Sequence, residues 1–231
     1  MATQVEQHIK VDTEGGVGWI RFNRPDKMNA IGAVTRTQLG EAIKQAERDD
    51  AIRVVVLTGS GRAFCSGADV TEMAEGAGMR TPEDVGNVLR NEYMPMLTRL
   101  RTMPKPVIAA MNGPAVGIGA SYALACDIRI ATPEAYLLEA FINIGLAERL
   151  GVINRMVPAE QLDEVVRELA THLASQPRGA IAAAKRAVNH ALDSTFEQAL
   201  EFESYLQEAQ AASPEFAEGV ANFLARRASK K

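Results

Sequence analysis

Two short apolar runs, Val54–Thr58 and Pro106–Met111, each lead into a glycine-bearing turn and then toward a helix, a pattern that leaves few folds open. Val54-Val55-Val56-Leu57 is continuous and β-branched, the composition of a strand buried on both faces. The turns are Ala63-Phe64-Cys65-Ser66-Gly67-Ala68-Asp69-Val70 and Asn112-Gly113-Pro114-Ala115-Val116-Gly117-Ile118-Gly119-Ala120-Ser121. Strand, turn and helix repeated in this order read as α/β. Two strand-to-helix turns set together aim two backbone N–H groups at one point, which is how a protein holds a developing oxyanion.

The rest of the chain extends this pattern. Val17–Phe22 alternates toward a strand, and Asn23-Arg24-Pro25-Asp26-Lys27 ends it with turn chemistry. Leu39, Ile43 and Ala46 mark one face of a helix that runs to Asp49-Asp50. Thr81 is placed to cap a second long helix, with Pro82 in its first position and Glu83 and Asp84 at the positive end of its dipole. Val85, Leu89, Tyr93, Met96 and Leu100 then recur at helical spacing until Pro104 and Pro106. A helix around Tyr122–Ala125 and a strand Asp127–Ala131 follow the second turn. From Ala159 the pattern is helical alone, over Leu162–Leu173, Ile181–Leu192, Thr195–Gln210 and Pro214–Phe223, so residues 1–158 read as an α/β body and 159–231 as a helical region suited to packing or oligomerisation.

Composition narrows the function. The chain has 231 residues, enough for one sizeable domain or one domain with a helical extension. No apolar run approaches a membrane span, and the polar, charged start Met1–Lys10 lacks the apolar region of a secretion signal. Cys65 and Cys126 are too few for a disulfide framework, which points to a reducing, cytoplasmic setting. A net charge of −4 argues against nucleic acid as a partner. Arg21, Arg24 and Lys27 either meet the phosphates of an anionic ligand or form a solvated turn.

Candidate catalytic groups are few. His8, His172 and His190 are far apart and none has metal-ligand spacing, so no metal is expected. Gly117-Ile118-Gly119 opens like a dinucleotide motif, but Tyr122 stands where the third glycine belongs. Ser121 near a helix start is a nucleophile only with a base beside it, and the favoured reading is a small packing or capping residue. Glu139 lies within Ala135-Tyr136-Leu137-Leu138-Glu139-Ala140-Phe141-Ile142, apolar on both sides. It is either an edge residue facing water or a desolvated acid able to move protons.

At these residues the chain resembles the crotonase superfamily, the enoyl-CoA hydratase/isomerase family, over nearly its whole length. The matching motifs are Asn23-Arg24-Pro25 with Asn29-Ala30, Val56-Leu57-Thr58-Gly59 through Phe64-Cys65-Ser66-Gly67-Ala68-Asp69-Val70, and Lys105–Gly113. Cys126-Asp127-Ile128-Arg129-Ile130-Ala131 and Gly151-Val152-Ile153-Asn154-Arg155-Met156-Val157 match in the same order. The resemblance implies a spiral of ββα units, with C-terminal helices that build homotrimers or hexamers. It implies an oxyanion hole formed by the N–H groups of Ala68 and Ile118 around an acyl-CoA thioester, with no cofactor beyond the CoA moiety. CoA contacts would come from Lys27, Ala30 and the loop of Ser66, Gly67, Ala68, Asp69 and Val70.

The chain departs from the family's pattern twice. Hydratases of the family hold a water between two glutamates; Glu139 falls at the second of those positions, but Ser121 occupies the first. One carboxylate moves a proton between two carbons more readily than it orients and splits water, so the chain resembles the isomerases more closely. Hydration with Ser121 and Glu139 sharing the water is the alternative; a serine hydrolase and a non-catalytic acyl-CoA binder are more distant ones. The other departure follows Ile144-Gly145-Leu146. Family members continue there with a glycine-rich loop, a helix and further chain, whereas here Ala147-Glu148-Arg149-Leu150 leads straight to Gly151-Val152. Either the protein has a true deletion or a segment is missing at this point. The second is favoured, because losing those elements would open the acyl pocket and expose its apolar wall. In the ring-opened phenylacetyl-CoA isomerases that the chain also resembles, that segment would carry another catalytic acid.

Overall fold

The structure, a computed structural model, describes residues 6–69, 71–72, 81–138, 153–215 and 218. It divides into two compact units, Met1–Ala174 and Ser175–Lys231. The first is organised by a six-stranded sheet. Its strands are β1 (Ile9–Glu14), β2 (Val17–Phe22), β3 (Val54–Gly59), β4 (Val107–Met111), β6 (Ile128–Ala131) and β8 (Arg155–Met156), lying side by side in that order. β1 and β2 form an antiparallel hairpin, and every later pairing is parallel. β1 escapes sequence reading because only Ile9 in it is buried, so it lacks an apolar alternation.

The central strands are apolar throughout because the sheet is covered on both faces. Ile20, Phe22, Val55, Leu57, Ala109 and Met111 face one core, with Leu39, Ile43, Leu100 and Tyr122 from the covering helices. Val17, Trp19, Val54, Val56, Ile108 and Ala110 alternate to the other. That second face is closed by α5 (Leu162–Ala174), whose Leu162, Val166, Ala170 and Ala174 recur every four residues and are buried. The apolar stripe of this helix therefore meets the sheet of its own chain.

On the first face, α1 (Ala33–Arg48) packs beside a helical run whose middle differs from the expected uninterrupted helix. Thr81 caps α2 (Pro82–Val88) in a reciprocal box with Asp84. The run then widens into a π-helical turn, Leu89–Tyr93, before α3 (Met94–Thr102). Pro95 is the physical reason: it has no N–H for a bond one turn back, and its ring would crowd the carbonyl there. α4 (Ile118–Ala125) starts four residues earlier than the sequence pattern placed it. In the second unit, α6 (Arg178–Ala191) and α7 (Phe196–Ala211) pack on each other, with His190 stacked on Phe202 at 4.2 Å between ring centroids. Thr195 caps α7 with a box completed by Gln198. The helix expected over Pro214–Phe223 falls mainly outside the described residues.

Candidate active site

Near the C-terminal ends of β3 and β4 the chain builds a second layer from short pairings. β5 (Ala115–Val116) runs parallel to β7 (Leu137–Leu138), and single parallel bridges join Cys65 to Ala115 and Ile31 to Ala68. The hydrogen bonds of these bridges decide where free donors point. The Ile31 N–H donates to the Gly67 carbonyl at 2.8 Å, and the Asp69 N–H donates to the Ile31 carbonyl at 3.1 Å. Only the neighbours of Ala68 bond to Ile31, so the Ala68 N–H is turned to the opposite side. Ile118 is the first residue of α4, where an N–H has no carbonyl one turn back. The Cys65–Ala115 bridge is held by Cys65 N–H to the Pro114 carbonyl (3.1 Å) and Val116 N–H to the Cys65 carbonyl (2.9 Å). Ala68 and Ile118 each lie three residues beyond this parallel pair, Ile118 after the turn at Gly117 that opens α4.

Glycine permits the crossing. Gly67 has φ +94°, and a Cβ there would stand 2.8 Å from the Val116 carbonyl oxygen. Gly117, at φ +53° and ψ −126°, turns β5 into α4 through a conformation that side chains oppose. A Cβ on Gly119 would collide with the Cys65 carbonyl, so the loop lies directly on the start of α4.

Two asparagines and an ion pair brace the loop. Asn29, buried and left-handed at φ +61°, donates through Nδ2 to the carbonyls of Ser60 (2.9 Å), Ala63 (2.7 Å) and Phe64 (3.3 Å), and its Oδ1 accepts the Arg24 N–H. Asn112 accepts from Gly59 N–H and donates to the carbonyls of Gly61 and Ala63. Neither asparagine stood out as functional in the sequence; the available signal was an amide in a glycine-rich turn. Asn29→Ala is expected to lower stability by roughly 3 kcal/mol in urea unfolding, because it orphans several buried groups and keeps a left-handed residue.

Arg24 Nη1 donates to Asp69 Oδ2 (2.8 Å) and to the Ala30 carbonyl (2.9 Å). The sequence left Arg24 open between a phosphate contact and a solvated turn; in the structure its Nη1 ties the two segments together. Burial pulls the Asp69 carboxyl upward, but hydrogen bonds from Thr71 and Arg24 outweigh it and bring the pKa from 3.8 to about 2. The folded value lies below the unfolded one, so the stabilisation is complete above about pH 4 and lost as pH falls toward 2. Asp69→Asn is therefore expected to cost about 1–2 kcal/mol at neutral pH, a gap from wild type that closes between pH ~4 and ~2 in urea titrations.

The sequence profile of the enoyl-CoA hydratase/isomerase family matches residues 12–148 and 146–230. The chain belongs to the enoyl-CoA hydratase/isomerase family. It is 35% identical to the 1,2-epoxyphenylacetyl-CoA isomerase of Escherichia coli over 254 aligned positions, covering 96% of this chain and 97% of that one. It is 37% identical to a Rhodobacter capsulatus protein named "Probable enoyl-CoA hydratase", covering 95% of each. Among solved structures, the enoyl-CoA hydratase of Bacillus anthracis superposes with a TM-score of 0.86 at 27% identity, over 95% of this chain and 97% of that one. The protein is thus a crotonase-fold enzyme of acyl-CoA chemistry.

Within this family site the expected residues fall into three groups. Ala30, Ser66, Gly67, Ala68 and Asp69 are brought together beside Lys27: Ser66 N–H donates to the Met28 carbonyl, and its hydroxyl donates to the Lys27 carbonyl at 3.4 Å. Ile118 and Ser121 stand in the first turn of α4, Ile118 half-buried against the core, with Ser121 N–H bonded to the Gly117 carbonyl. Val70 and Glu139 lie outside the described residues. Leu138, the last residue of β7, accepts the Gly117 N–H at 3.3 Å, which ties β7 to the start of α4. Burial pushes the Cys65 thiol up to about 12, so it stays protonated and is no nucleophile. His8 is engaged by Thr35 and Glu6. No helix of the described residues is long and apolar enough to cross a membrane, and no group of three or more His, Cys, Asp or Glu among them could hold a metal.

The departure after Leu146 coincides with the junction of the two profile matches, which meet at residues 146–148. The alignment to the E. coli isomerase spans 254 positions although this chain has 231 residues, so the relative carries sequence that this chain lacks.

Proposed function

We propose that this enzyme is an enoyl-CoA isomerase that shifts a double bond along an acyl-CoA thioester. The observation that supports the reading is the Ala68 N–H left out of the Ile31 bridge, on a loop that Gly67 and Gly119 let lie against the start of α4. The thioester oxygen sits between the N–H groups of Ala68 and Ile118, which lower the cost of enolate formation on loss of a proton from C2. Glu139, joined directly to Leu138, takes that proton and returns it at C4. Ser121, which does not ionise near neutral pH, stands where a second carboxylate would hold water. CoA is bound along Lys27, Ala30 and residues 66–70, and no further cofactor takes part.

Hydration is the second reading, because two of the proteins named above bear hydratase names. Steady-state rates with a 3-enoyl-CoA and its 2-trans isomer separate the two: isomerisation is expected to be the faster, and faster water addition would overturn the proposal. An intact mass of 24.9 kDa would establish a true deletion after Leu146, and a larger mass the missing segment.

The enzyme is proposed to assemble as a trimer or hexamer and to work in the cytoplasm. α6, α7 and the turn between them expose Val188, Leu192, Phe196, Leu200 and Tyr205, an apolar surface of the kind that marks association. Both cysteines are free thiols, as a reducing compartment keeps them. A stable monomer in light scattering at micromolar concentration would exclude the assembly.

A further inference from the structure

Helix α1 begins without the usual local devices. Its N-cap residue is Gly32, which has no side chain to accept a hydrogen bond, and no acidic residue stands in its first turn. The acceptor comes instead from 39 residues further along the chain, where Glu72 Oε2 takes the Ala33 N–H at 2.7 Å. A Cβ on Gly32 would collide with the Glu72 carboxylate. Gly32 itself is extended, at φ −93° and ψ −175°, so glycine serves here for the space it leaves rather than for its backbone freedom.

This contact falls at the exit of the loop that carries Ala68. The Ile31 N–H donates to the Gly67 carbonyl, and the Asp69 N–H donates to the Ile31 carbonyl. Asp69 Oδ1 then accepts both the Thr71 N–H, at 3.1 Å, and the Thr71 hydroxyl. That turn leads directly to Glu72. Residues 31–33 therefore hold the loop at Gly67, at Asp69 and at Glu72. The first two attachments are backbone bonds; the third depends on one half-buried side chain.

The sizes of the two effects at stake differ. One helix cap adds modestly to the stability of a domain. A misplacement of about 1 Å at the reacting centre costs up to about 10²-fold in rate. We propose that Glu72 is a positioning residue. Its carboxylate, seated in the gap that Gly32 leaves at the start of α1, latches the loop and holds the Ala68 N–H on the thioester oxygen. The inference rests on the acyl-CoA reading above and on its oxyanion hole.

The carbonyl stretch of bound hexanoyl-CoA, isotope-labelled at C1, reads the donors apart from turnover, because N–H groups aimed at the oxygen lower its frequency. Wild type is expected to show a downshift on binding. Glu72→Ala is expected to lose about half of that shift or more and to lower kcat about 10-fold on the faster of the two enoyl-CoA isomers. Its Kd for hexanoyl-CoA is expected to stay within about 3-fold, since the donors matter most in the transition state. Glu72→Gln keeps an acceptor oxygen and is expected to remain within about 2-fold of wild type in kcat.

A merely structural cap is separated by combining Glu72→Ala with Gly32→Ser. Serine at the N-cap gives α1 its own acceptor, so Tm is expected to return to the wild-type value while the band and kcat stay those of Glu72→Ala. Recovery of the band and kcat in the double variant would overturn the inference. So would an unchanged band in Glu72→Ala, or a Glu72→Gln as slow as Glu72→Ala. No downshift in wild type would overturn the oxyanion hole itself, and no binding of hexanoyl-CoA the acyl-CoA reading.

Discussion

Replacing Glu139 with Gln is expected to slow double-bond migration by about 10²–10⁴-fold while leaving the affinity for CoA thioesters within a few-fold of wild type. The substitution keeps the shape and removes the base. An amide cannot take the C2 proton, and Ser121 has no ionised form to substitute near neutral pH. Catalysis that remained would come from the two N–H groups polarising the carbonyl, and that contribution does not depend on Glu139. The measurement is kcat for a 3-enoyl-CoA alongside the Kd of a saturated thioester, with Ser121→Glu as a companion. Ser121→Glu restores the paired carboxylates of the hydratases and is expected to raise water addition relative to isomerisation. Unchanged kcat in Glu139→Gln would move the proton carrier elsewhere, first into the segment that relatives carry after the position of Leu146.

Ala68→Pro is expected to lower kcat by about 10²–10³-fold, with a smaller effect on KM. Proline deletes one of the two proposed oxyanion donors. The bridge to Ile31 loses nothing, because it uses the Gly67 carbonyl and the Asp69 N–H rather than the groups of Ala68. The preceding residue is glycine at φ +94°, the residue type best able to absorb the restriction that proline places on its neighbour. Loss of activity with an unchanged Tm and retained thioester binding would mark the N–H as the active group. A kcat within a few-fold of wild type would remove Ala68 from the oxyanion hole.

Much of this protein could be read before any coordinates. Val54–Leu57 and Val107–Met111 are apolar at every position, and only a strand covered on both sides requires that. Thr81 and Thr195 carry their helix starts in three-residue spacings, and both boxes form. Such features are local, decided by residues within a turn of one another or by whether a face meets water.

Contacts between distant segments were not legible in the same way. Nothing in Asn29 or Asn112 alone shows that both clamp the same loop, because their partners lie 31–35 and 49–53 residues away. Arg24 reads equally well as a phosphate ligand until Asp69, 45 residues on, is found to hold it. The π-helical turn hides inside an ordinary apolar periodicity, since Val85, Leu89, Tyr93 and Met96 keep helical spacing while Pro95 reshapes the backbone. By itself the sequence determined the family, the α/β layering and the turns that present the site. Only the tertiary structure decided that the Ala68 N–H is left out of the bridge to Ile31 and that Arg36 lies over the Tyr93 ring while its Nε pairs with Glu92. Pairing register and burial are collective properties, settled when segments far apart in the chain compete for the same space and the same hydrogen bonds.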